Sequence, residues 1–150
     1  KKKGVGLLFT GGHATFAGTA NYPGATGWKG VAAVEELLPT DLSTAEPAVL
    51  DPKQRGPARG QQYLPLARVA GHYLNRLGDT PEKSAEQWTR LNDRENRARF
   101  TGLSRVGRPK PSATVYAVAA DPTQEQPVPL PDAEAGKFPP VLVGHQIGDG

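Results

Sequence analysis

Three histidines, two close pairs of carboxylates and a run of arginines carry the side chains with which this chain could do chemistry. His13, His72 and His145 are far apart, and no two stand at the short spacing of a local metal site. A three-histidine site would need the fold to assemble it. His72 stands beside Tyr73 within an apolar series and reads as a helix-edge residue rather than a ligand. Glu35-Glu36 and Asp132/Glu134 are close enough for paired acid–base work, yet both lie among polar neighbours that would keep them solvated. Cysteine is absent, which excludes disulfides, zinc thiolates and thiol nucleophiles. The chain has no Gly-x-Ser-x-Gly, no Walker loop and no dinucleotide fingerprint. No catalytic residue, metal or cofactor is expected.

The arginines form the stronger signal. Arg90, Arg94 and Arg97, with Lys83, fall on one side of a helix that should begin at Pro81, and Arg105, Arg108 and Lys110 continue the charge. Residues 90–110 hold seven basic residues against two acidic ones, whereas residues 111–150 hold one lysine against five acids. A basic middle therefore faces an acidic tail within a net charge of +3. Arg90, Arg94, Arg97, Arg105 and Arg108 are the candidate interaction residues. They suit an acidic protein surface or the chain's own tail. Phosphates of a nucleic acid are the alternative partner. Against that alternative, no aromatic residues interleave with the charges. In addition, Glu86/Arg90, Asp93/Arg97 and Glu95/Arg99 are ordinary helix-surface pairs, worth about 0.2–0.5 kcal/mol each.

Gly12-His13-Ala14-Thr15-Phe16-Ala17-Gly18 resembles the histidine motif of vanadium-dependent haloperoxidases and related acid phosphatases. That resemblance implies an acid–base role for His13 beside a bound vanadate or phosphate. It covers this one short stretch. Thr10-Gly11 stand where the family has Pro-Ser, and only twelve residues precede His13, too few for the family's upstream Lys and Arg cradle. Asn21-Tyr22-Pro23-Gly24 breaks the helix the motif should enter, and Ser104-Arg105 has no histidine after it until His145. We therefore expect a Gly-rich surface turn with Thr15 and His13 exposed, and keep the phosphatase- or haloperoxidase-like enzyme as a further alternative.

The elements that would position these residues are sparse. The 150 residues include 18 Gly and 15 Pro, and 37% are hydrophobic, so the chain should be loop-rich with a modest core. Residues 1–38 read as a Gly-rich, β-containing segment, with a basic terminus entering a strand at Val5–Thr10 and, at Val31–Leu38, a two-turn helix stopped by Pro39, with a strand followed by a turn as the competing reading. No apolar run approaches the length of a membrane span. Residues 39–63, with four prolines, read as an extended linker. Residues 64–101 read as a helical hairpin. Leu66, Val69, Ala70, Tyr73, Leu74 and Leu77 share a helix face, Gly78 stops that helix, and Thr80 and Pro81 start a second one that runs to about Phe100. Tyr73, Trp88 and Leu91 are the expected core anchors.

Residues 102–150 read as a Pro-rich β or extended arm with strands at Thr114–Val118 and Phe138–Val143. The rhythm of Val115–Asp121, Pro127–Ala133 and Gly136–Pro140 is similar to small β-modules of bacteriophage tail and virion proteins, which implies a structural role. The expectation is thus one α+β domain, with a helical hairpin flanked by short β-strands and long Pro/Gly-rich extended arms. Its expected function is that of a non-enzymatic structural or interaction subunit of a larger protein assembly, a virion or tail component among the candidates, with other protein subunits as partners. The compartment is not written in the sequence.

Overall fold

The computed structural model describes residues 7–11, 15–19, 24–47, 64–68, 72–93, 104, 106–120 and 137–148. In chain order the elements are α1 (Ala32–Leu37), β1 (Thr40–Asp41), a 3-10 turn (Leu42–Thr44), β2 (Leu64–Ala67), a second 3-10 turn (Tyr73–Asn75), α2 (Pro81–Asn92), β3 (Arg108–Pro109), β4 (Thr114–Ala120) and β5 (Pro140–Gly144). They divide between two packed units. One comprises Lys1–Arg55, Ser104–Thr114 and Val143–Gly150, and the other Gly56–Leu103 and Val115–Leu142.

In the first unit, Ala32, Ala33 and Glu35 favour the helical turn of α1, and Pro39 prevents its continuation. Val31 at its start offers no side-chain cap; instead the Glu35 carboxylate accepts a hydrogen bond from Gly30 N at 2.8 Å. The chain then enters β1, which pairs antiparallel with β3 through Thr40↔Pro109 and Asp41↔Arg108. Asp41 caps the following 3-10 turn by accepting from Ser43 N at 2.9 Å. The core collects Phe16, Ala17, Leu38, Leu42 and Ala45, with Phe9, Val34 and Val106 packed against it. Gly18 lies in this core with φ +71°, and a Cβ there would sit 1.4 Å from the Ala25 carbonyl oxygen. Gly107 makes a similar close approach at φ +84°, where a Cβ would lie 2.1 Å from Asp41 O.

The second unit holds β2, β4 from Val115 onward and the first residues of β5, strands that follow the order β2-β4-β5. β2 pairs antiparallel with β4 through Leu64↔Ala120, Pro65↔Ala119, Leu66↔Val118 and Ala67↔Ala117. β4 runs between its two neighbours, and four consecutive residues, Ala117–Ala120, are buried instead of alternating. Val118 and Ala120 centre one small core with Val115 and Phe138, and Ala67 and Trp88 centre another with Ala85 and Leu91. α2 starts as the sequence demands. The Thr80 hydroxyl accepts from Lys83 N at 3.3 Å, and Pro81 opens the first turn.

Among the described residues the expected helical hairpin over 64–101 is absent, and this is the main correction to the fold class. Its first helix is replaced by strand β2, and the 3-10 turn at Tyr73–Asn75 is a single turn. The helical spacing from Leu66 to Leu77 competes with two breakers, Pro65 and Gly71, and with the ladder that Ala117–Ala120 offers to Leu64–Ala67. Pro65 is tolerated because β2 ends the sheet, where a missing N–H costs little. The expected core anchor Tyr73 is consequently 73% exposed, whereas Trp88 is buried as anticipated. Helix α2 ends at Asn92 with an extended residue at Asp93, short of Phe100; residues 94–103 lie outside the described residues. Leu7–Thr10 form no strand, and Val5 and Gly6 lie outside the described residues. The helix at 31–38 and the strands near 114–118 and 138–143 appear as Ala32–Leu37, Thr114–Ala120 and Pro140–Gly144. Of the linker at 39–63, the described part carries β1 and a 3-10 turn.

Candidate functional site

Two of the five candidate arginines, Arg90 and Arg108, lie among the described residues. Arg90 is exposed on α2 in the second unit, and Arg108 is exposed on β3 in the first. Arg94, Arg97 and Arg105 lie outside the described residues. The exposed surface of α2 carries Glu82 and Glu86 as well as Lys83 and Arg90, and Lys83 lies 3.7 Å from the Asp79 carboxylate. Glu82 is held below the usual carboxylate range by its own backbone N–H and by the Thr80 hydroxyl, so it stays charged at this helix start.

The remaining chemistry-bearing residues of the first unit are tied to backbone. α1 ends with carbonyls that lack intrahelical partners. The Lys110 ammonium donates to Glu35 O at 2.6 Å and to Glu36 O at 3.3 Å, and His145 Nε2 donates to Leu37 O at 3.0 Å. Two cation-capable side chains thus close the negative end of the helix. Lys29 plays the same part on the 3-10 turn, donating to Ser43 O and Ala45 O, each at 3.1 Å. Glu35 and Glu36 are no catalytic pair, since Glu35 reaches back to Gly30 N while Glu36 is exposed. Phe16 and Ala17, within the stretch that resembles the haloperoxidase motif, are buried in the core rather than displayed on a surface turn. His13 lies outside the described residues, as do Asp132 and Glu134. Among the described residues no three His, Asp or Glu side chains gather as a metal site, and no helix is long and apolar enough to cross a membrane.

The second unit holds a feature that the sequence did not announce. His72 caps the 3-10 turn, its Nδ1 accepting from Leu74 N at 3.3 Å. Its ring contacts two tyrosines, with centroids 4.5 Å from Tyr73 and 4.3 Å from Tyr116, tilted by 36° and 32°. Leu74 and Leu77 are exposed beside it. Behind the stack a buried polar network fixes the turn. Asn75 Nδ2 donates to Tyr116 O, and Asn75 O accepts from both Trp88 Nε1 at 2.8 Å and Ser84 Oγ at 3.2 Å. Ser84 Oγ in turn accepts from Leu77 N at 3.0 Å. Of the three rings Tyr73 is exposed, whereas His72 and Tyr116 are half-buried. The adjacency of His72 and Tyr73 was visible in the sequence, but Tyr116 comes from β4, and no local pattern could have joined it to them.

No protein-family model matches this chain, and comparison with curated proteins and with solved structures likewise gives no match. The resemblances drawn from 12–18 and from the tail accordingly rest on those stretches alone.

Proposed function

We propose that this chain is a non-enzymatic interaction subunit of a larger protein assembly, with a bacteriophage virion or tail as the kind of assembly that the rhythm of its C-terminal third resembles. One observation carries the reading: large apolar side chains remain exposed around small cores. Among the described residues Leu8 is 79% exposed, Leu7 63% and Ile147 52%, while the buried clusters those residues form have five members or fewer. Scattered exposed apolar residues are ordinary. The ordering entropy of a chain must be offset mainly by apolar burial, and exposed large apolar side chains can provide that burial against a partner. Burial against neighbouring subunits would supply what the chain's own cores lack. The absence of a described catalytic constellation plays no part in this reading.

The test is light scattering and thermal unfolding of the purified chain at low micromolar concentration. Self-association, or a broad non-cooperative transition that sharpens when partner subunits are added, is the expected result. A monodisperse monomer with a sharp transition would overturn the proposal. Steeply salt-dependent binding to nucleic acid would replace it with the alternative based on the arginines.

A further inference from the structure

We draw no further inference here: the strongest candidate, the surface patch at 72–77 of the second unit, where Tyr73, Leu74 and Leu77 are exposed and the His72 ring contacts Tyr73 and Tyr116, carries nothing because nothing in the structure shows what covers it.

Discussion

The carbonyl of Asn75 is the point on which the second unit turns, and a double-mutant cycle on its two donors tests that claim. Ser84 is fully buried and Asn75 nearly so, and the carbonyl accepts from both Ser84 Oγ and Trp88 Nε1. Ser84→Ala removes one donor and also strips Leu77 N of its acceptor. Leu77 is 46% exposed, so water can satisfy its freed N–H, and we expect a loss of about 1 kcal/mol, the ordinary net value of a hydrogen bond. Trp88→Phe removes the other donor and a little packing, for about 1–2 kcal/mol. Each single variant leaves Asn75 O with the other of these donors. The double variant removes both, so its loss should exceed the sum of the singles by about 1 kcal/mol. The assay is native-state hydrogen exchange of the α2 amides, which reads local opening without requiring global two-state unfolding. An excess of about 1 kcal/mol appears there as roughly fivefold faster exchange than the two singles predict. Additivity within about 0.3 kcal/mol would refute the reasoning, because the two donors would then not share one acceptor.

Three further outcomes are expected. Gly18→Ala should disrupt the first unit outright, since its Cβ would lie 1.4 Å from Ala25 O, and loss of the Phe16 and Leu42 methyl and ring signals from their dispersed positions would register it. Lys110→Met should destabilise the last turn of α1 by about 0.5–1 kcal/mol, seen as faster exchange of Leu38 N, which bonds Val34 O; unchanged protection would show that solvent caps those carbonyls equally well. Asp41 is held below its ordinary value of 3.8 by hydrogen bonds from Ser43, with Lys110 and Arg108 adding to the effect. Because the folded value is depressed, the carboxylate's contribution is complete above 3.8 and is lost as pH falls through the lower folded value. The Ser43 amide should therefore titrate with a midpoint below 3.8 in the native chain and not at all in Asp41→Asn; a midpoint at or above 3.8 would contradict the cap.

Where the chain's structure depends on neighbours within a few residues, it was legible. Thr80 and Pro81 announce the start of α2, because an N-cap hydroxyl and a proline in the first turn act on amides only two or three positions away. Val31–Leu38 and Thr114–Val118 likewise contain the helical and β-branched preferences that their elements use. The candidate arginines show the limit of this. Their stripe is read on a helix running to about Phe100, whereas α2 ends at Asn92.

Composition and local order thus determined the charge asymmetry, the absence of thiol chemistry, the helix starts and the positions of β4 and β5. Tertiary structure alone decided that Leu64–Ala67 would be strand. The apolar spacing there fits a helix, and only pairing with Ala117–Ala120, remote in the chain, tips the balance. The same pairing exposes Tyr73 and brings His72 against Tyr116. A ladder's hydrogen bonds and a ring stack are contributed by residues from distant parts of the chain. Their energy belongs to the pair and not to either segment, so neither segment's sequence could declare it.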